Sequence, residues 1–216
     1  MDMMELKQEI AYFMRRLYRQ RLTTTSGGNI SVRNGGSILI TPSGIDKGRI
    51  MADQIGIVTM DGTPDPDNKF KMSIECGMHL EIYRRRPDVN AIVHAHPVTA
   101  CSFAAAELPI NTHLGSESYA ILGEVAIADY ALMGTDALAA VTGAAAEKAN
   151  CLLMRNHGAL AVGRTLLEAF DRLEVLENTA IINMNLLHLP PPQIRRLNAE
   201  QLLDIDRLMG RSGKRA

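Results

Sequence analysis

The chain has 216 residues, enough for one well-buried domain and short for two. Hydrophobic residues make up 46% and charged residues 22%, and a formal net charge of -1 leaves no global field to recruit nucleic acid or an acidic membrane surface. The three cysteines, Cys76, Cys101 and Cys151, lack metal-like or redox-like spacing, the start Asp2 to Glu5 is acidic where a secretory leader would be basic, and no apolar run reaches membrane-spanning length, so a reducing cytoplasm is the expected compartment.

Residues 4 to 22 place Leu6, Ile10, Phe13, Met14 and Leu17 at three- and four-residue steps with arginines between them, which predicts an amphipathic helix. Small polar residues from Thr23 to Asn29 follow. The alternating runs Ile30–Arg33 and Ser37–Ile40 around Asn34-Gly35-Gly36 then read as a hairpin. The apolar run Ile55 to Met60 predicts a strand, and Asp61 to Asn68 an exposed hairpin loop whose aspartates lack the glycine and terminal glutamate of a calcium loop. A helical pattern then runs to Arg86, with Ser73 as its N-cap and Glu75 in its first turn.

The stretch Asn90 to Pro97 is a β-branched apolar run ending in His94 and His96. Thr99 to Ala106 predicts a short helix, and Leu108–Ile110 and Ala126–Ala128 short strands, with Ser116–Tyr119 between them. Thr135 or Asp136 caps an alanine-rich helix to about Asn150. The strands Cys151–Met154 and Ala159–Gly163 flank Arg155-Asn156-His157-Gly158. Thr165 opens a long helix to about Leu187, broken by Leu189-Pro190-Pro191-Pro192. A last helix from Asn198 to about Met209 is expected to turn Leu202, Leu203, Ile205 and Leu208 inward, which makes residues 1–209 one mixed α and β domain and 210–216 a basic tail expected to be disordered.

Side chains at i and i+2 leave a strand on the same face, so His94 and His96 point together as metal ligands would. His157 also falls at a strand end, and three imidazoles with an open position describe a catalytic zinc site; cobalt, nickel or iron fits the same donors. Glu75, one helix upstream of His94, is the best-placed carboxylate for acid/base work. Two glycine-bearing loops at strand ends, Ser26-Gly27-Gly28-Asn29 and Thr41-Pro42-Ser43-Gly44, offer backbone and neutral side-chain donors that suit a phosphate without a Walker-type lysine. Each feature alone has a plainer reading: a surface histidine pair, ordinary turns, a helix-capping glutamate.

Taken together, Ser26-Gly27-Gly28-Asn29-Ile30-Ser31, Ile40-Thr41-Pro42-Ser43-Gly44, Ser73-x-Glu75, His94-Ala95-His96-Pro97 and Asn156-His157-Gly158 stand in the order and approximate spacing of the class II aldolase/adducin family. The chain resembles that family, its L-fuculose-1-phosphate aldolase branch in particular, over nearly its whole length. The resemblance implies a three-layer α/β/α fold with a central, mainly antiparallel sheet, assembled as a cyclic homotetramer with active sites between subunits. It implies Zn2+, or another divalent transition metal, on His94, His96 and His157, with Glu75 as acid/base. Ser26, Gly27, Gly28 and Asn29 match the loop for substrate oxygen and phosphate, and Thr41, Ser43, Gly44 and Ser73 the remaining phosphate motifs. The implied reaction splits a ketose 1-phosphate into dihydroxyacetone phosphate and an aldehyde through a metal-stabilised enediolate.

Two departures bear on the substrate. Ile74 stands where many family aldolases have a second serine, which removes a phosphate contact. The segment of the family's tyrosine proton donor reads Leu108-Pro109-Ile110-Asn111-Thr112-His113, so His113 is its nearest counterpart, with Tyr119 and Tyr130 as further candidates. A family dehydratase or decarboxylase acting on a phosphorylated sugar or sugar acid is the alternative. A non-catalytic adducin-like interaction domain has no reason to keep His94, His96, His157 and Glu75 together.

Overall fold

Alternation along the strands divides the apolar side chains into two cores and so decides the layering. The computed structural model describes residues 2–190 and 194–211. Its sheet contains β1 (Asn29–Asn34), β2 (Ser37–Ile40), β3 (Gly56–Thr59), β4 (Ala91–Ala95), β5 (Val125–Ala128), β6 (Cys151–Met154) and β7 (Gly158–Gly163). The strand order is β3-β2-β1-β4-β7-β6-β5, and every neighbouring pair is antiparallel except β5 with β6. That parallel pair is joined through a helix, as a crossover between parallel strands requires.

Ile30, Val93, Leu153 and Ala161 face one core with α1 (Met3–Arg19), α3 (Val98–Ala105), α4 (Ser116–Leu122) and α6 (Leu166–Leu186). Ile38, Ile92, Leu152 and Leu160, one residue out of phase, face the other with α2 (Cys76–Arg85) and α5 (Asp136–Ala146). The result is the expected three-layer arrangement with a mainly antiparallel centre. Local caps mark the helix starts: Thr135 Oγ1 accepts from Leu138 N, Thr165 Oγ1 from Glu168 N, and Asn198 forms a capping box with Gln201 before α7 (Ala199–Leu208).

Three expectations need correction. Among the described residues Leu108–Ile110 pairs with no strand, because Pro109 has no N–H for a ladder and Glu107, at φ 56, turns the chain as it leaves α3. In α7 only one narrow stripe packs: Leu202 is buried, but Leu203 is exposed and Leu208 is 82% exposed, while the polar Asp206 is buried instead. The third correction, at the start of α2, belongs to the site below.

Of the basic tail, Arg211 lies against the domain, bonded to the carbonyls of Tyr119 and Ala120 and paired with Asp206 at 3.1 Å. Residues 212–216, and Pro191 and Pro192 of the proline break, lie outside the described residues. Among the described residues no helix is long and apolar enough to cross a membrane.

Candidate functional site

Strand parity puts Asn29 on β1 directly opposite His94 on β4. His94 shares the α2 face with Ile92, and His96 follows just beyond the strand end, its ring centroid 4.9 Å from that of His94. The β6–β7 turn brings the third ring. Asn156 takes a left-handed φ of 52, which asparagine tolerates better than most residues, and His157 N donates back to Met154 O at 3.1 Å. The His157 ring then lies 5.0 Å from that of His94 and 5.7 Å from that of His96. One ligand nitrogen from each of the three comes within 4.8 Å of the others.

This cluster suits a divalent cation for reasons internal to it. His94 Nδ1 faces Ala159 O at 2.9 Å, and since a carbonyl only accepts, that nitrogen carries the proton and Nε2 offers its lone pair. His94 Nε2 is buried without a hydrogen-bond partner among the described residues. Burial, followed by the neighbouring rings, pushes the His96 pKa down to about 4, and burial likewise lowers that of His94, so both rings favour the neutral form that a metal ligand requires.

Glu75 completes the cluster in a manner the expected helix start conceals. Helix α2 begins at Cys76, and Glu75 occupies its N-cap position with a side chain that caps nothing. Ser73, expected as the N-cap, instead accepts from Glu75 N through Oγ at 3.3 Å and holds that residue ahead of the helix. The freed carboxylate is buried, with Oε1 2.8 Å from His157 Nε2 and Oε2 3.3 Å from His94 Nε2. Burial opposes its ionisation, but the contact with His157 Nε2 and the hydrogen bond from the Asn29 amide favour the charged form and hold the carboxyl below the usual carboxylate range.

The orientation of Asn29 is fixed from behind. Its Nδ2 donates to Glu75 Oε2 at 2.6 Å and to Ser73 Oγ at 3.1 Å, while Oδ1 meets His79 Nε2 at 2.5 Å. His79 Nδ1 in turn contacts Ser31 Oγ at 2.6 Å, and Ser31 Oγ contacts Tyr83 OH at 2.9 Å. Burial, with His94 as the next cause, pushes the His79 pKa down to about 3, so its neutral ring donates from Nε2 and accepts at Nδ1. Sequence reading does not single out His79. Its position four residues after Glu75, with Tyr83 four residues further along one face of α2, is the signal that finds it.

Ser26, Gly27, Gly28, Asn29, Ser43, Gly44, Ser73, Glu75, His96 and His157 line one cavity of about 490 Å³, a volume suited to a small ligand. Two glycines are sterically required around it. Gly28 has φ +67, and a Cβ there would stand 2.7 Å from His94 O; a Cβ on Gly158 would stand 2.7 Å from Ala95 O and 2.9 Å from His94 Cε1.

The remaining expected residues lie elsewhere. Thr41 is fully buried and accepts from Ile30 N through Oγ1 at 3.1 Å. His113 stands 3.5 Å from Glu124 in a separate apolar groove, edge-on to the Tyr119 ring. Tyr119 is buried with its hydroxyl 3.1 Å from Asp206 Oδ2, and Tyr130 is 61% exposed. None of these four lines the cavity of its own chain. Lys47, which sequence reading passed over, does line it.

This fold, with a three-histidine cluster and an adjoining carboxylate at strand ends, defines a class of protein, and sequence similarity names it. The chain belongs to the class II aldolase and adducin family: the family model described as the Class II Aldolase and Adducin N-terminal domain matches residues 8–184. It is 33% identical over 182 residues to the L-fuculose phosphate aldolase of Methanocaldococcus jannaschii, covering 84% of this chain and 97% of that one. Identity to the 5-deoxy-D-ribulose 1-phosphate aldolase of Bacillus thuringiensis serovar kurstaki is 33% over 181 residues, covering 82% of this chain and 83% of its relative. A solved L-fuculose 1-phosphate aldolase superposes with a TM-score of 0.87 at 31% identity, covering 95% of this chain and 96% of the other.

Proposed function

We propose that the protein is a class II aldolase that cleaves a ketose 1-phosphate to dihydroxyacetone phosphate and an aldehyde. The observation that carries this reading is the buried Glu75 carboxylate, lodged against two of three clustered histidines and beside a cavity lined by Ser26, Gly27, Gly28, Ser43, Gly44 and Ser73.

His94, His96 and His157 would hold the divalent cation, zinc by expectation. When bound, the cation supplies Lewis-acid stabilisation of the negative charge that develops on the substrate's carbonyl and neighbouring hydroxyl oxygens. The chain's own groups do the rest. The glycine-bearing loops grip the phosphate through backbone N–H groups and serine hydroxyls, which positions the sugar carbons against Glu75. As the C3–C4 bond breaks, its electron pair passes into the enediolate; the Glu75 carboxylate, ionised at rest, must take up a proton before it gives one to C3, and the proton lost by the C4 hydroxyl balances it. Asn29, whose two amide N–H groups go to Glu75 and Ser73, keeps the Glu75 carboxyl aimed. In the condensation direction Glu75 removes that same proton.

The proton of the C4 hydroxyl must also move, and we assign it to a residue brought by a neighbouring subunit. Support comes from the cavity mouth, where Met133 lines the site while Tyr130, Leu132 and Met133 are all more than half exposed, an apolar patch suited to a subunit contact in a homotetramer. Of His113, Tyr119 and Tyr130, Tyr130 stands in that patch. Three free cysteines among the described residues suit a reducing cytoplasm.

The test is a panel of ketose 1-phosphates incubated with zinc- or cobalt-loaded protein, with dihydroxyacetone phosphate as the readout. Its formation is the expected result. No release across the panel, with carbon dioxide or a dehydrated ketone formed from other phosphorylated sugars or sugar acids, would replace the aldolase reading with a decarboxylase or dehydratase.

A further inference from the structure

Lys47 is the cation among the described residues that line the candidate site, and the steps above make no use of it. Its residue is 1% exposed. Its Nζ donates to Pro42 O at 2.5 Å, which occupies one of three ammonium donors. Among the described residues no carboxylate lies within ion-pair distance of it, and Glu75, which acts on it from further away, is already engaged by His94, His157 and Asn29. Lys47 N also donates to Thr25 O at 2.8 Å, so the residue ties the Ser26-Gly27-Gly28 loop to the Pro42-Ser43-Gly44 loop. A buried ammonium with two donors to spare and no counter-ion is costly unless a ligand brings the opposite charge.

The other cradle residues, Ser26, Gly27, Gly28, Ser43, Gly44 and Ser73, are neutral, and Ile74 at the rim adds no side-chain donor; its backbone N instead donates to Ser43 Oγ at 3.2 Å. A phosphate monoester is close to doubly charged at neutral pH, and hydrogen bonds to neutral donors leave that charge uncompensated. We propose that Lys47 is the charge-bearing, specificity-determining member of the cradle, which selects a phosphate monoester over an uncharged sugar by pairing its ammonium with the phosphate. The proposal deepens the phosphosugar reading above and rests on it for the identity of the anion.

The test uses zinc-loaded full-length protein with dihydroxyacetone phosphate and inorganic phosphate as probes, read by calorimetry and by the ligand-induced rise in melting temperature. Lys47→Met and Lys47→Gln are expected to melt no lower than wild type without ligand, since each removes an unpaired buried charge. Both are expected to lose the phosphate-induced rise and to bind dihydroxyacetone phosphate at least about 30-fold more weakly. A lower melting temperature without ligand in both variants, with the phosphate-induced rise intact, would make Lys47 a strut for Pro42 and overturn the proposal; so would wild-type protein that binds neither probe. Because these readouts need no turnover, a phosphate response that depends on Lys47 in a protein releasing no dihydroxyacetone phosphate would sink the aldolase reading and leave Lys47 standing. Turnover with unchanged probe binding in both variants would do the reverse.

Discussion

Gly158→Ala tests the proposed three-histidine metal site without changing any of the three histidines. The added Cβ would stand 2.7 Å from the Ala95 carbonyl oxygen, 2.7 Å from His96 Cδ2 and 2.9 Å from His94 Cε1, where ordinary contact begins near 3.4 Å. Ala95 O belongs to the strand backbone, so relief must come from moving the β7 start or two ligand rings by about 0.5–0.7 Å, and overpacking of this kind costs about 1–3 kcal/mol. A displacement of that size in two of three ligands is comparable to losing an outer partner of a metal ligand, which lowers affinity about 10–100-fold. The assay is zinc affinity by chelator competition, together with the melting temperature of the metal-free protein. Zinc affinity within about threefold of wild type, in a folded variant, would refute the packing argument and with it the placement of His94 and His96 as ligands.

Glu75→Gln keeps the volume and removes the proton donor, so zinc content is expected to hold while kcat falls about 10²–10⁴-fold; near-normal turnover would put the acid/base elsewhere. His79→Phe strips the partner from Asn29 Oδ1 and one of two partners from Ser31 Oγ, which keeps Tyr83, and about 1–3 kcal/mol of stability is expected to go with the unpaired amide oxygen. In denaturant titrations, a loss below about 0.5 kcal/mol would show the relay to be slack.

Lys47 sets a pH signature in the ligand-free protein. Burial, partly offset by Glu75, pushes its pKa from 10.5 down to about 8, so from about pH 8 to 10.5 the unfolded chain binds more protons than the folded one, and stability rises with pH. Below pH 8 the buried charge costs the folded state about 3 kcal/mol. The stability of wild type relative to Lys47→Met is therefore expected to climb by that amount between about pH 8 and 10.5, and a flat difference would mean the ammonium is not desolvated.

Features set by short-range geometry were legible without coordinates. The period-two runs Ile30–Arg33 and Ser37–Ile40 became β1 and β2, and Thr135, Thr165 and Asn198 cap the helices that follow them, because turns and caps depend on residues a few positions apart. The start of α2 misled because Ser73 and Glu75 both satisfy a capping pattern, and only the presence of His94, His157 and Asn29 nearby decides that the glutamate turns away from its helix. Leu108–Ile110 misled because three apolar residues look the same in a strand and in a loop that buries Ile110. Lys47 was invisible for a related reason: Ile45-Asp46-Lys47-Gly48 reads as a solvated turn, and its burial follows from two loops closing over it.

By itself the sequence determined that His94 and His96 share a face, since alternation along a strand is a local property of the backbone. It also determined the family, because five motifs in order are specific where none is alone. The tertiary structure decided that Glu75 would lie against His94 and His157 and that His79 would anchor Asn29. It also decided that an uncompensated lysine would stand in a cradle of neutral donors. Those relations join residues far apart in the chain, and their energies exist only once packing has excluded water from between them.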